Sequence, residues 1–231
     1  MAKFIGIGVG PGDPELITVK AIKALEVLDI LVVPSGKEGS SSEALAIAES
    51  YVPLNIKIIK RVFPMTNDAA FMSESINEIA DEISSLVLEG FNVGFLTLGD
   101  PMLYSTYGYL LKRLINQIPI STIAGITSYT AIASGENRIL TEGDTPLVIY
   151  PCVGELKQLE THLTSRDSLV LMKVYKSFEK VKQLIIKHGL STNALIVSNY
   201  GKPNAVVFSD IEQVNQEDLS YFTTILIYKG V

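Results

Sequence analysis

Cysteine and histidine are almost missing from this chain of 231 residues, which contains only Cys152, His162 and His188. A single thiol forms no internal disulfide, and one thiol with two imidazoles is too small a set for a typical zinc site. The sequence therefore predicts no protein-bound metal.

Long hydrophobic runs and an excess of positive charge are also missing. Apolar stretches such as residues 30–33 end after a few residues, whereas a membrane-spanning helix needs about 20. The chain has 19 Lys and Arg against 25 Asp and Glu, and its net charge of −6 disfavours generic binding to nucleic acid or anionic membranes. Its start lacks an apolar export region, so we expect a cytoplasmic protein without membrane or nucleic-acid partners.

The composition, 47% hydrophobic and 19% charged, is too apolar for a disordered chain. In the first half, apolar runs alternate with segments of helical period. This pattern predicts strands at 4–9, 29–33, 56–59, 92–98 and 118–123, and helices at 15–28, 41–51, 69–88 and 104–116. The spacing of Ser40 and Glu43 is typical of a capping box at the start of the second helix. The alternation predicts a parallel sheet with helices on both faces.

The second half of the chain is less regular. Its pattern predicts strands at 147–150, 168–174, 194–198, 205–208 and 223–228, with helices at 155–163 and 178–188. A turn at 200–204 joins two of these strands and indicates antiparallel pairing. We therefore expect two α/β domains with a cleft between them, the first with a mainly parallel sheet and the second with a mixed sheet. Domains of 1–117 and 118–231 fit this pattern, and a boundary at 137–146 is the alternative.

Alternating glycines at positions 6, 8, 10 and 12 do not complete a known nucleotide-binding motif. The dinucleotide fingerprint G-x-G-x-x-G would need a third glycine where Pro11 or Asp13 stands, and no Gly-Lys-Ser/Thr sequence occurs. By themselves these glycines indicate a tight turn from a strand into a helix.

A Gly-Asp-Pro sequence occurs twice, each time directly after a predicted strand. The copies are Gly12-Asp13-Pro14 and Gly99-Asp100-Pro101, in which Asp suits a helix cap and Pro suits the first helical position. A third loop, 124–128, follows another strand and adds small hydroxyl groups. Because parallel sheets bind ligands at the carboxyl ends of their strands, the three loops predict a binding site at that edge.

These loops carry a resemblance to a known family. Residues 6–21 closely resemble the opening signature of the tetrapyrrole methylases, 98–101 and 124–128 resemble their second and third signatures, and 171–173 continue the match. Many relatives have glycine where Leu98 stands and proline where Ala124 stands. The chain is thereby identified as a member of this family. Residues 63–66 and 97–106 resemble the branch that methylates C-20 of precorrin-2 or of its cobalt complex.

The resemblance implies the tetrapyrrole methylase fold and methyl transfer from S-adenosylmethionine to a meso carbon of a reduced tetrapyrrole, during cobalamin synthesis. It implies cofactor contacts from the loops and the second half of the chain, at Pro11, Gly99, Asp100, Leu103, Thr127, Ser128, Met172 and Tyr200. Substrate contacts are expected at Tyr104, Ser105, Thr106 and Lys37. Several of these residues also have a purely structural interpretation, which stays open. Asp100 is then a helix cap, Met172 is a core residue, and the hydroxyl groups of residues 104–106 start the following helix. No catalytic base is assigned.

The tetrapyrrole carries several carboxylates, so an acidic protein needs local positive charge to bind it. The candidates are Lys37, Lys60, Arg61, Arg138, Lys173 and Lys176. The Gly/Ser-rich loop Pro34–Ser41 is expected to be mobile and to close over the substrate. Relatives in the family are homodimers, so a homodimer is expected. The alternative functions are methylation of another position of the macrocycle and non-catalytic tetrapyrrole binding.

Overall fold

The computed structural model describes residues 1–37, 39–63 and 68–229, and the side chain of Ala69 lies outside the description. Two of the sequence features above extend beyond these residues, namely Glu38 in the loop 34–41 and the segment 64–66. The chain forms two compact units, Met1–Thr127 and Ser128–Val231. Each unit is described by itself.

The first unit contains a parallel α/β sheet, as predicted. Its described strands are β1 (Phe4–Gly8), β2 (Ile30–Ser35), β3 (Lys57–Val62), β4 (Val93–Thr97) and β5 (Ile120–Ile123), in the spatial order β3-β2-β4-β1-β5. Every described pairing in this sheet is parallel. The helices are α1 (Val19–Leu25), α2 (Glu43–Ala48), α3 (Ala69–Leu88) and α4 (Tyr107–Leu114).

Both faces of this sheet are covered by apolar side chains. Phe4 of β1 packs with residues of α3 and α4 on one face, whereas Ile5 and Ile7 pack with residues of α1 and α2 on the other. Successive residues of a strand point to opposite faces, so a strand buried on both faces needs a continuous apolar run. This explains why β1, β2 and β4 were visible in the sequence, whereas the edge strands β3 and β5 are less buried.

The starts of α1 and α2 differ from the predictions because other residues provide the caps. The segment after β1 first forms a short 3-10 turn, Pro14–Leu16, and α1 begins only after Thr18, whose hydroxyl accepts a hydrogen bond from the Ala21 N–H at 3.2 Å. The predicted capping box at Ser40 is wrong. Ser42 caps α2 instead, and the Ser40 hydroxyl donates to the carbonyl of Lys37.

The second unit contains the predicted mixed sheet. Its described strands are β6 (Leu147–Pro151), β7 (Ser168–Met172), β8 (Ala194–Ser198), β9 (Val206–Phe208) and β10 (Thr223–Ile227), in the order β6-β7-β10-β8-β9. The strand β6 pairs with β7 in parallel, while β10 runs antiparallel to both β7 and β8. The strands β8 and β9 form the predicted antiparallel pair across the turn at 200–204.

The helices of this unit are α5 (Ser128–Gly135), α6 (Lys157–Thr164) and α7 (Phe178–Lys187). The sequence pattern did not predict α5, which packs on one sheet face through Ile132 and Ala133. The helices α6 and α7 cover the opposite face, with Leu159 and Val181 in the core. The predicted boundary after residue 117 differs from the observed division after Thr127, because β5 pairs with β1 and belongs to the first sheet.

Among the described residues, no helix is long and apolar enough to cross a membrane. The same part of the chain contains no group of three or more His, Cys, Asp or Glu residues arranged to hold a metal ion. Burial raises the pKa of the Cys152 thiol to about 12, so this thiol is protonated at neutral pH and is a poor nucleophile.

Candidate functional site

Three glycine-containing loops of the first unit meet backbone to backbone at the carboxyl edge of the sheet. The N–H of Gly99 donates to the carbonyl of Gly10 at 2.7 Å, and the N–H of Gly10 donates back at 3.3 Å. A Cβ on Gly125 would overlap the Gly99 carbonyl oxygen, and a Cβ on Gly8 would lie 2.6 Å from the Gly125 nitrogen. Since backbone cannot move aside cheaply, these contacts require glycine. The resulting edge lies where parallel sheets bind ligands.

Asp100 ties two of these loops together. One carboxylate oxygen accepts the N–H of Met102 at 2.9 Å, and the other accepts the N–H of Gly125 at 3.0 Å. The interpretation of Asp100 as a helix cap is wrong, because the next helix, α4, begins at Tyr107. The first Gly-Asp-Pro copy does act as a cap, since Asp13 accepts the N–H of Glu15 at the start of the 3-10 turn.

Gly99 leaves open space beside this tied region. Its φ is +68°, a conformation that favours glycine, and no described atom lies within 4 Å of the place that a Cβ would take. The backbone of Gly99 is therefore accessible to a ligand from that side. Pro11, one residue beyond Gly10, is buried, and Leu103 and Thr127 are half-buried.

The segment between β4 and α4 places its hydroxyl groups in different roles. The hydroxyl of Ser105 lies 2.6 Å from that of Thr97 and accepts the N–H of Tyr107 at 3.1 Å. Ser105 therefore holds the start of α4 against the end of β4. Tyr104 precedes it with a φ of +49° and is 44% exposed at the surface of the unit. Thr106 is half-buried.

The buried side chain of Tyr107 holds the start of α4 against the strands β1 and β5. Its buried ring lies over Gly6, where a Cβ would overlap the ring, and its hydroxyl lies 2.6 Å from that of Thr122 in β5. Burial raises the pKa of the Tyr107 phenol, and the hydrogen bond with Thr122 opposes this only in part. The phenol therefore stays neutral and links α4 to β1 and β5.

The predicted residues of the second unit gather around α5 and the ends of two strands. Ser128 is the first residue of α5, Met172 is the last residue of β7, and Tyr200 lies two residues after β8. Because β7 and β8 are both antiparallel to β10, their carboxyl ends lie at the same edge of the sheet. Met172 and Tyr200 pack against the same apolar cluster, together with Tyr129 of α5.

A network of hydroxyl groups holds the end of β8. The buried Ser198 donates to the hydroxyl of Ser220 at 2.9 Å, and Ser220 donates to the side-chain oxygen of Asn199 at 2.7 Å. Asn199 has a φ of +56°, and the turn that presents Tyr200 starts there. Sequence reasoning missed this network, because its members are 22 positions apart and no local spacing connects them.

The basic candidates differ in their availability. The Arg61 guanidinium is paired with Glu82 and also donates to the carbonyl of Lys60, so its charge is already engaged within the unit. Lys37 is exposed, and its N–H donates to the Ser40 hydroxyl at 3.3 Å. Arg138, Lys60, Lys173 and Lys176 are exposed as well. Lys173, directly after Met172, has a φ of +57°.

Comparisons with known proteins agree with the loop signatures. A model of the family described as Tetrapyrrole (Corrin/Porphyrin) Methylases matches residues 3–215. A cobalt-precorrin-2 C(20)-methyltransferase of Salmonella typhimurium is 37% identical over 98% of this chain and 96% of its own length. A precorrin-2 C(20)-methyltransferase of a Sinorhizobium species is 30% identical over 98% of this chain and 95% of its own length.

The same fold occurs in solved structures. A cobalt precorrin-4 methyltransferase superposes with a TM-score of 0.76 at 21% identity, covering 98% of this chain and 94% of its own. A uroporphyrin-III C-methyl transferase from Thermus thermophilus, solved with S-adenyl homocysteine, has a TM-score of 0.68 at 18% identity and covers 99% of this chain and 92% of its own. At such identities the likeness concerns the fold alone.

Proposed function

Because the chain belongs to the tetrapyrrole (corrin/porphyrin) methylase family, we propose that it transfers a methyl group from S-adenosylmethionine to C-20 of cobalt-precorrin-2 in cobalamin biosynthesis. The observation that carries the proposal is the 37% identity, over nearly the full length of both chains, to an enzyme named for this reaction. The metal-free substrate is the second candidate, favoured by the precorrin-2 relative at 30% identity.

S-adenosylmethionine supplies, when bound, an electrophilic methyl carbon on a sulfonium group. The residues of this chain have to hold that carbon in line with a nucleophilic meso carbon and exclude water, and such orientation supplies roughly 7–11 kcal/mol of the barrier. A C–C bond forms, the C–S bond breaks, and a proton leaves the meso carbon. We assign no side chain of this protein to that proton.

The proposed contacts of the methyl donor begin at the tied glycine loops. The open side of Gly99 fits a ligand that approaches the backbone closely, since a side chain would occupy that space. Asp100 acts in this proposal by holding the loop of Gly99 to the loop of Gly125 through its carboxylate. The further contacts are Pro11, Leu103 and Thr127 of the first unit and Ser128, Met172 and Tyr200 of the second.

The proposed substrate contacts lie after β4 and in the loop after β2. Tyr104 presents a partly exposed aromatic ring to the macrocycle in this proposal. The proposed contacts Ser105 and Thr106 follow it, and the Ser105 hydroxyl also holds the start of α4. Lys37 offers an exposed cation for a substrate carboxylate, and the loop around it closes over the macrocycle in this proposal. The cation of Arg61 is already neutralised by Glu82 and is left out.

The reaction is tested with purified protein, labelled S-adenosylmethionine, and precorrin-2 with and without cobalt. We expect a labelled product from the cobalt complex, with the new methyl carbon at C-20 by NMR and one added methyl by mass spectrometry. A methyl group at another carbon would replace the proposal by another position of the macrocycle. Binding of both molecules without transfer would support a binding module instead.

The place of the methyl donor is tested at Gly99 with two substitutions. Gly99→Asn and Gly99→Val both fill the open space, but Asn adopts a positive φ readily and the β-branched Val does not. We expect both variants to bind S-adenosylmethionine at least about tenfold more weakly in calorimetry, a loss of about 1.4 kcal/mol. Only the Val variant should also lose stability. Unchanged affinity in both variants would contradict the proposed contact.

The role of Lys37 is tested by Lys37→Ala, with the exposed Lys20 of α1 as the matched control. An exposed ion pair contributes up to about 1 kcal/mol, so we expect the KM for the tetrapyrrole to rise about two- to fivefold. The affinity for S-adenosylmethionine should stay unchanged. Equal kinetics for the Lys37 and Lys20 variants would remove Lys37 from the substrate site.

The remaining proposals concern assembly and location. We propose a homodimer in the cytoplasm, supported by large apolar side chains that the single chain leaves exposed, among them Leu54, Leu88 and Met102. Sedimentation should give about twice the chain mass of 25.2 kDa. A mass near that of one chain across micromolar concentrations would contradict the dimer.

A further inference from the structure

Gly135, in the last turn of α5, lies directly against the tyrosine that follows β8. A Cβ on Gly135 would overlap the Tyr200 hydroxyl oxygen and would lie 3.1 Å and 3.2 Å from the ring atoms Cζ and Cε2. Gly135 is in a helix and is exposed to solvent, where alanine is favoured over glycine by about 1 kcal/mol. Helix formation therefore does not explain this glycine, and its contact with Tyr200 does.

The helix cannot move away from Tyr200 easily, because its end is anchored. Asn137 follows the helix with a φ of +51°, and the N–H of Arg138 donates to the Ala133 carbonyl at 2.8 Å. With the weaker bond from the Asn137 N–H to Ser134 at 3.4 Å, this is the Schellman arrangement that ends many helices. Ile132 and Ala133, just before Gly135, are buried against the sheet.

The tyrosine is anchored on its own side as well. Asn199 donates its N–H to the Phe222 carbonyl at 3.1 Å and accepts the Ser220 hydroxyl at 2.7 Å. Its carbonyl accepts the N–H of Lys202 at 3.0 Å, which closes the turn around Tyr200. Both partners of the contact are thus held by backbone hydrogen bonds, and a side chain at position 135 would have to displace the Tyr200 side chain.

We propose that Gly135 is a positioning residue for the methyl donor: its missing side chain admits the Tyr200 hydroxyl and thereby sets Tyr200 and the neighbouring Met172. The inference rests on the proposed function, in which Met172 and Tyr200 contact S-adenosylmethionine. Met172 and Tyr200 pack on the same apolar cluster, so a displaced tyrosine ring disturbs both. In this inference the Tyr200 hydroxyl fits against α5, and the ligand contact assigned to Tyr200 is made by its ring and backbone.

The test is a double-mutant cycle of Gly135→Ala and Tyr200→Phe, read by calorimetry with S-adenosylmethionine. Gly135→Ala should raise Kd about tenfold, because the added methyl group pushes the tyrosine out of place. Tyr200→Phe removes the overlapping oxygen, so in the double variant Kd should return to within about twofold of Tyr200→Phe alone. Gly108→Ala in α4 is the matched control, since no described atom lies within 4 Å of its Cβ position, and its Kd should equal that of the wild type.

The outcomes separate this inference from the proposed function. A wild-type protein that does not bind S-adenosylmethionine would overturn both. Wild-type binding with an unchanged Kd in Gly135→Ala would overturn the positioning role alone. A raised Kd that Tyr200→Phe does not restore would also overturn it, because the loss would then come from α5 itself. Thermal unfolding of all four proteins checks that each variant is folded at the temperature of the measurement.

Discussion

The predicted ligand-facing edges of the two units consist of different groups, namely backbone in the first unit and side chains in the second. In the first unit, Gly8, Gly99 and Gly125 pack backbone against backbone, and one carboxylate ties two of the loops. In the second unit, Met172 and Tyr200 stand at the strand ends and are held by packing and by hydroxyl groups. A backbone edge needs particular residues at a few positions and leaves a strong sequence signature. A side-chain edge depends on partners that are distant in sequence and leaves a weak one.

Positive φ angles occur at both edges. At the edge of the first sheet, those of Gly10 and Gly99 cost little because glycine adopts them freely, whereas Tyr104, after β4, adopts one without being glycine. At the edge of the second sheet, Lys173 and Asn199 adopt positive φ angles without being glycine, and such conformations persist only where the surroundings hold them. For Asn199 the surroundings are the Ser198 and Ser220 hydroxyls.

The largest effect is expected from Gly125→Ala in the backbone edge. The added methyl group would overlap the Gly99 carbonyl oxygen and lie 2.9 Å from the Gly8 Cα, so the loops have to separate. We expect a loss of about 3 kcal/mol or more in the free energy of unfolding, measured with denaturant. Gly108→Ala, at an open helical position, should be neutral or stabilising. Equal stability of the two variants would refute the backbone packing.

A smaller effect is expected from Asp100→Asn, which keeps the shape of the side chain but replaces one of its two acceptor oxygens by an NH₂ group. The carboxylate accepts two N–H groups, from Met102 and Gly125, whereas an amide presents one oxygen and one NH₂ group. We expect a loss of about 1–2 kcal/mol in unfolding free energy and weaker binding of S-adenosylmethionine. If affinity falls while stability is unchanged, Asp100 contacts the ligand directly instead of tying the loops.

Ser220→Ala tests the side-chain edge of the second unit. It removes a hydroxyl that accepts from Ser198 and from the Phe222 N–H and donates to Asn199. We expect a loss of about 1 kcal/mol in unfolding free energy and a weaker contact of Tyr200, seen as a raised Kd for S-adenosylmethionine. The exposed Ser209 serves as the control for Ser→Ala. A Kd equal to that of the Ser209 variant would show that the hydroxyl network does not influence binding of S-adenosylmethionine.

The smallest effect concerns the acid stability of the second unit, away from its predicted ligand-facing edge. A hydrogen bond from Lys187, followed by one from His188, lowers the pKa of Glu160 from its ordinary 4.5. The ionised form therefore stabilises the fold above pH 4.5, and this stabilisation is lost as the pH falls through the lowered value. Glu160→Gln should flatten the acid limb of the unfolding curve slightly, compared with the exposed control Glu179→Gln. If the stability of both variants falls with pH in the same way, the hydrogen bonds of Glu160 do not contribute to acid stability.

The sequence predicted what depends on local pattern. Buried, largely apolar runs identified β1, β2 and β4 of the first unit, because a strand buried on both faces has to avoid charged residues. The three glycine-containing loops predicted the edge where they meet, and their signatures identified the family. Close backbone contact at that edge admits only glycine at Gly8 and Gly125. The mixed sheet followed from short strands and the turn at 200–204.

Only the tertiary structure decided what depends on distant partners. The helix α5, with its small residues and hydroxyls, looks like a loop in the sequence and is a helix because its apolar side packs on the second sheet. The roles of Asp100 and Arg61 were decided by Gly125 and Glu82, which lie 25 and 21 positions away in the chain. Local periodicity indicates which side of an element is buried, but not which side chains it contacts there. Those contacts depend on the packing of the whole unit.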